Sequence, residues 1–328
     1  MHFSSAVFGV AALSSALFAS SASAQTVLPL PWDGRGYDLT VDKLTDKYLT
    51  HILTMRNSSS NDDPANYVSI DQTGRDPGFN GDTGVINIGV DKDAIFKAQH
   101  NFRRSELVQF VESNQEGTTF FRASFKKDEA FLNEYQWQII FPESHSFEIR
   151  VDATLDPPML IYLNNGTWDA KWETEFVPGT WYNFGIAVSK GTTTNSTLEF
   201  YTSEGDAELK LAATHNTVSE FPTASYEFHI GLLTLSSDGS DPVMAAEQDV
   251  LSFNGVSVEN EVSTSAASGS TSTTTSSASA DADAGSEVEG DADSGADETD
   301  APAVAATDAP STDATPAPAA TSSCARRH

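Results

Sequence analysis

The stretch Phe147-Glu148-Ile149-Arg150-Val151-Asp152 alternates an apolar residue with a charged one over its whole length. Only an extended backbone sends successive side chains to opposite faces, so this period of two reads as a strand, apolar face to a core and charged face to solvent. Working outward, the same signal recurs. Ile86, Ile88 and Val90 alternate with Asn87 and Gly89, while Phe120 to Phe125 and Tyr135 to Phe141 are rich in aromatic and β-branched residues. Leu160 to Leu163, Trp181 to Val188, Thr197 to Tyr201, Tyr226 to Leu235 and Val250 to Val258 complete the series. Turn residues separate most of these runs: Asp76-Pro77-Gly78, Asn80-Gly81, Asn165-Gly166, Pro178-Gly179 and Asp238-Gly239. Asn254-Gly255 is expected to split the last run into a hairpin. No long segment has helical periodicity, and Asp91 to Ala98 allows one short turn of helix. Many short strands over this length predict an all-β fold, a two-sheet β-sandwich of jelly-roll type spanning residues 25–260.

The two ends of the chain have a different composition. Residues 1–24 carry an apolar run from Ala6 to Phe18 followed by Ala22-Ser23-Ala24, the pattern of a signal peptide cleaved before Gln25. Secretion is therefore expected, and the sequons at Asn57, Asn165 and Asn195 are expected to carry glycans. Residues 261–328 are mostly Ser, Thr, Ala, Asp, Glu, Pro and Gly, without an aromatic residue. Such a tail cannot bury enough apolar surface to offset its ordering entropy, and it reads as a disordered, acidic, solvated stalk. The single cysteine, Cys324, lies in this tail, so the folded region holds no disulfide.

The formal net charge is −29, and the region before the tail keeps about −20 of it. Like-charge repulsion then argues against nucleic acid, anionic membranes and anionic polysaccharides as partners. A neutral sugar polymer is acceptable to such a surface. No zinc helix, nucleophile elbow, phosphate loop or dinucleotide fingerprint is present, and the acidic run Asn61-Asp62-Asp63 lacks calcium-loop spacing, so no metal and no cofactor are expected. A monomer is expected.

Three constellations carry potential chemistry. In Asn101-Phe102-Arg103-Arg104-Ser105-Glu106-Leu107-Val108, an extended backbone puts Arg104 and Glu106 on one face, and an arginine beside a carboxylate holds it ionised and oriented. A plain structural ion pair would have the same spacing. In Phe141-Pro142-Glu143-Ser144-His145, Glu143 and His145 also share a face, after a segment in which Tyr135 and Trp137 alternate with Gln136 and Gln138. Aromatic rings there could stack on sugars, or could equally belong to the core. In Tyr226-Glu227-Phe228-His229-Ile230-Gly231-Leu232-Leu233, a histidine inside an apolar strand must find a partner or stay neutral.

At these residues the sequence resembles the catalytic domain of glycoside hydrolase family 131, a family of secreted fungal and oomycete β-glucanases. The resemblance runs through Pro31-Trp32-Asp33-Gly34-Arg35, Phe102-Arg103-Arg104-Ser105-Glu106-Leu107, Glu143-Ser144-His145 and Phe228-His229-Ile230-Gly231-Leu232, in that order. It implies a β-jelly roll that hydrolyses β-1,3-, β-1,6- or β-1,4-glucan with inversion, and it places the catalytic pair on Glu106 and Glu143. Glu148 and Glu134 are neighbouring alternatives for the second carboxyl. Arg103 and Arg104 would support the carboxylates, His145 and His229 would tune them or bind a hydroxyl, and Trp137 and Tyr135 would be sugar platforms. A non-catalytic, lectin-like glucan binder and a polysaccharide lyase are the competing readings of the same architecture.

Overall fold

The computed structural model describes residues 26–164, 166–190, 196–217, 223–235 and 240–266. The expected signal sequence, Asn165, Asn195 and most of the tail lie outside the described residues. Fourteen strands follow in chain order: β1 Trp32–Asp33, β2 Val68–Asp71, β3 Val85–Val90, β4 Phe102–Glu112, β5 Thr118–Lys126, β6 Gln136–Pro142, β7 Phe147–Asp152, β8 Met159–Asn164, β9 Trp172–Glu175, β10 Tyr182–Lys190, β11 Ser196–Glu204, β12 Lys210–Thr217, β13 Ser225–Leu235 and β14 Asp249–Glu259. They form two antiparallel sheets. One runs β12-β11-β10-β5-β14-β3-β2, with β1 also on β14; the other runs β4-β13-β6-β7-β8-β9. This is the two-sheet sandwich that the alternation predicts.

The core fills the space between the sheets. Phe121 of β5 meets Phe147 of β7 at 5.0 Å and Phe228 of β13 at 5.1 Å between ring centroids. Each such ring, taken fully out of water, contributes about 1.5–3 kcal/mol. Within the six-stranded sheet, Phe147, Ile149 and Val151 all point into this core. Their partners Glu148, Arg150 and Asp152 are buried too, so the charged face of β7 is not the solvated surface the alternation suggests. What covers it is the site described below.

Three expectations need correction. The last run is not a hairpin: β14 is continuous, with a register shift between Asn254 and Ser257. Asn254 is fully buried, and its amide is consumed by bonds from Arg75 and the Phe79 N–H and to the carbonyls of Asp82 and Gly84. Gly255 takes the left-handed conformation (φ +67°), where a Cβ would strike Phe79, so Asn-Gly makes a bulge here and not a turn. Asp91 to Ala98 holds no helix; a one-turn α-helix, α1, instead covers His51–Thr54. Finally, the folded unit does not stop at 260. Arg122 donates to Ser263 Oγ and the Ser265 carbonyl, and the N–H groups of Leu209 and Asn80 bond the carbonyls of Thr264 and Ala266.

α1 lies over the outer face of β4, where Val108 packs with Ile52 and Phe96. The adjoining outer face of the six-stranded sheet is left open. No described helix is long and apolar enough to cross a membrane.

Candidate active site

Arg104 and Glu106 are two residues apart in β4 and so share a face, the one turned away from the eight-stranded sheet. Arg104 donates from Nε to Oε1 of Glu106 (2.6 Å) and from Nη2 to Oε2 (2.7 Å), a two-pronged charged pair. His229 on β13 faces the same way, with Nδ1 2.6 Å from Oε2 of Glu106. Gly231 makes this reach possible. It sits opposite Glu106 with φ +152°, and a Cβ there would lie 2.2 Å from the Ser105 carbonyl and 2.7 Å from Glu106 Cα. Glu106 is wholly buried. Burial alone would raise its pKa, but Arg104 and the His229 bond outweigh it and hold the carboxyl at about 2. An ionised carboxylate only accepts, so His229 donates from Nδ1 and turns Nε2 outward. Nε2 is buried with no hydrogen-bond partner, 3.6 Å from Oε2 of Glu143 and 3.7 Å from Oε1 of Glu227. Glu227 has its pKa raised, first by burial and then, against the pull of His229, by the neighbouring Glu143.

A second cluster repeats the first. On β7, Arg150 donates from Nε to Oε2 of Glu148 (2.5 Å), Gln138 of β6 donates to the same oxygen (2.9 Å), and His145 Nδ1 lies 2.9 Å from Oε1. Burial pushes the Glu148 pKa up, yet His145, Arg150 and Gln138 together bring it below the usual value. His145 moves the other way: its bond to Glu148 raises its pKa. His145 adopts φ +52°, a left-handed backbone that few L residues take without a compensating interaction. The carboxylate bond and the ring stack below supply one.

Phe141 separates the two clusters. Its ring stacks on His145 (5.9 Å, 5° between planes) and on His229 (4.8 Å, 14°). The strand register explains the order. Arg104 pairs with Leu233, Leu233 with Gln138, and Gln138 with Arg150 across four strands. Arg104 and Arg150 therefore fall in one row; beyond it the register shifts on both sides of β6, and the next paired row is Leu107–Ile230–Ile140–Ile149. Above them opens a cleft of about 460 Å³, lined among others by Arg104, Phe141, Glu143, His145, Glu148 and Arg150.

Of the residues singled out by sequence, Arg104, Glu106, His229, Glu143 and His145 therefore meet at one place. Glu143 stands at the cleft mouth with its side chain 60% exposed, without the arginine and the buried setting that Glu148 has. Glu134 lies outside the cleft lining. Arg103 points to the other face of β4, where it donates to the carbonyls of Lys92, His100 and Phe102. Trp137 and Tyr135 are not sugar platforms. Period two turns Trp137 into the core, stacked on Phe131 with Nε1 bonded to the Asn133 carbonyl, and it is Gln138 that faces the cleft. Tyr135 packs edge-on to Trp137 and spends its hydroxyl on the backbone of Val243. Gln138 belongs to the amide alternation noted in the sequence, whereas Arg150 and Trp168 are not among the site residues the sequence singles out. Only the Phe147–Asp152 alternation pointed toward Arg150, and nothing in the periodicity pointed toward Trp168. Among the described residues no group of three or more His, Cys, Asp or Glu side chains could hold a metal. Asn57, the sequon within the described residues, is exposed.

Comparison with known proteins bears on the fold and the family. The chain superposes on the crystal structure of a GH131 β-glucanase catalytic domain from Podospora anserina with a TM-score of 0.56 and 23% identity, covering 74% of this chain and 98% of that one. It superposes on the catalytic domain of the glycoside hydrolase family 131 protein from Coprinopsis cinerea with a TM-score of 0.57 and 21% identity, covering 72% and 97%. At these identities the likeness establishes the fold. No curated protein sequence matches the chain. The family model "Glycoside hydrolase 131 catalytic N-terminal domain" matches residues 30–264, well over half of the chain, and so includes both clusters and the 261–264 segment that packs on the sandwich. The chain belongs to glycoside hydrolase family 131 and is a glycoside hydrolase.

Proposed function

We propose that this protein is a secreted β-glucanase that cleaves β-1,3-, β-1,6- or β-1,4-glucan by acid–base catalysis with inversion. The observation that carries the reading is the pair of Arg–Glu–His clusters side by side on one sheet face, the Glu148 cluster lining an open cleft that the Glu106 cluster reaches through Arg104. In each cluster an arginine balances the buried glutamate, and Glu143 and Glu227 add negative charge beside His229. A neutral polysaccharide fits such a floor better than an anionic one.

The two clusters suit different halves of the reaction. Glu106 is fully enclosed by Arg104 and His229, so it acts through the imidazole. It fixes His229 with Nδ1 donating and leaves Nε2, buried beneath Glu143 and Glu227 and without a hydrogen-bond partner, as the acceptor for a proton once those exposed and partly exposed side chains give way to water. Glu148 and His145 share a proton across a 2.9 Å bond on the open side of Phe141. The shifts keep the resting proton on His145, and it passes through Oε1 of Glu148 to the leaving glycosidic oxygen only as charge develops there. Water attacks the anomeric carbon from the His229 side as that bond breaks, and the proton it loses ends on Nε2.

The separation of the clusters fits a two-carboxyl glycosidase. β4 and β7 are three strand spacings apart, roughly 14 Å between backbones. Each glutamate reaches about one strand inward, Glu106 to His229 and Glu148 to Gln138, leaving roughly 5–10 Å between carboxylates. That range holds both the retaining spacing of about 5–5.5 Å and the inverting one of about 6.5–9.5 Å, so inversion rests on the family resemblance and is decided by the anomer released.

The test is incubation of the purified protein with laminarin, pustulan and barley glucan, with product sizing and proton NMR of the first-formed anomer. Release of α-anomeric sugar, and loss of about 10²–10⁴-fold in kcat for Glu148→Gln, are expected. A β-anomeric first product refutes the mechanism. Binding without release from any of the three glucans refutes the reading in favour of a lectin-like protein.

A further inference from the structure

Trp168 exposes 68% of its surface, more than any other described aromatic residue among the large exposed apolar side chains. A single exposed ring is ordinary, but two further observations set this one apart. Trp168 lines the cleft, in the connection between β8 and β9, beyond β7. And Arg150 lies against its ring at 4.3 Å from the centroid, while the same guanidinium is bonded to Glu148. The arginine thus ties the indole to the carboxylate. The other exposed aromatic residue, Tyr37, is flanked instead by Arg35 and Lys47, away from the cleft.

We propose that Trp168, braced by Arg150, is a stacking platform for one glucopyranose ring, forming a sugar subsite at the Glu148 end of the cleft. The inference rests on the β-glucan reading above and specifies where its chain is gripped. A β-linked glucopyranose carries its hydroxyls around the equator and apolar C–H groups on both faces, and such a face lies flat on an indole. Arg150 covers one side of the indole and leaves the other to the sugar. Gly166, two residues earlier, also lines the cleft and has open space where a Cβ would stand. Strand order places Trp168 past β7, on the opposite side of Glu148 from Glu106. A ring held there lies on the side of the bond that Glu148 protonates, and oligosaccharides too short to reach it lose its contribution.

The test compares wild type, Trp168→Phe and Trp168→Ala on laminari-, gentio- and cello-oligosaccharides of two to six units. For the hydrolysed series, Trp168→Ala is expected to raise KM for the hexasaccharide about tenfold and to leave the disaccharide unchanged. Trp168→Phe, which keeps a flat ring, is expected to stay within about threefold of wild type. In parallel, the hexasaccharide is expected to protect wild-type tryptophan fluorescence from acrylamide, and protection is expected to vanish in Trp168→Ala. Equal KM values and equal protection in Trp168→Ala overturn the platform and leave the hydrolase reading standing. Protection that depends on Trp168 without any turnover keeps the platform and removes the hydrolase reading. No protection by any of the three hexasaccharides overturns the platform.

Discussion

Glu106→Gln keeps the shape of the side chain and removes the charge that Arg104 and His229 enclose. The carboxyl has an ordinary pKa of 4.5 and is held at about 2 in the fold. At about 1.4 kcal/mol per pH unit, that gap is worth roughly 3 kcal/mol of stability at neutral pH. The glutamine also leaves the Arg104 guanidinium, whose side chain is 11% exposed, without its counter-charge, a change of the kind that costs about 3–5 kcal/mol when a buried pair is broken. The two figures describe one loss and agree in size. The sign with pH follows from the direction of the shift. A depressed carboxyl contributes fully above 4.5, and its contribution is lost as pH falls through about 2. Urea unfolding of wild type and Glu106→Gln at pH 7, 4.5 and 3 is therefore expected to show a gap near 3 kcal/mol at pH 7. The gap should hold down to about 4.5 and narrow below it, and thermal unfolding at pH 7 should fall by roughly 6–12 °C. A variant as stable as wild type at pH 7, or a gap that does not change with pH, would refute the account of Glu106 as a stabilised, ionised group.

Three further outcomes are expected. Glu143→Gln should cost less than about tenfold in kcat against the loss of about 10²–10⁴-fold for Glu148→Gln, since Glu143 is exposed and carries no arginine; steady-state kinetics of the two variants on one glucan decides. The His145–Glu148 pair must hold a proton to act as acid, and Glu148 raises the His145 pKa above 6.5, so activity should fall as pH rises through that raised value. His145→Gln should move the alkaline limb of the kcat profile to lower pH, and an unmoved limb counts against a proton shared by the pair. Gly231→Ala should destabilise the domain by about 2–3 kcal/mol in urea unfolding and displace Glu106, because the new methyl meets the Ser105 carbonyl.

The sequence reveals the sandwich because period two survives in strands such as β7 (Phe147, Ile149, Val151) and β10 (Tyr182, Phe184, Ile186, Val188), whereas Arg104-Ser105-Glu106 shows only an i, i+2 pair and it is the family resemblance that gives Glu106 a catalytic reading. The second cluster is hidden by the same period-two rule. In Phe147–Asp152 the alternation separates two faces, but it says nothing about what covers the charged one. A strand with Glu148 and Arg150 on a solvated face and a strand with both on a cleft floor have the same pattern. What separates the cases is the neighbour, and the neighbours come from far along the chain: Gln138 through the β6–β7 register, and Phe141 through its stack on His229, 88 positions away. Trp137 misled for a related reason. Its alternation with Gln136 and Gln138 was real, but which of the two faces turned inward depended on Phe131 and Asn133, which offered the indole a ring and a carbonyl. Local spacing thus finds pairs that act along one strand, while groups assembled across strands become visible only with the register. The two clusters show both sides of that limit. Arg104–Glu106 and Arg150–Glu148 are each i, i+2 pairs and readable in principle; His229 and His145 stand out in the sequence too, but which carboxylate each one joins, across a strand boundary or from a left-handed turn, does not. The proposed chemistry depends on that pairing, because it makes each histidine the proton carrier of a buried, arginine-bound carboxylate.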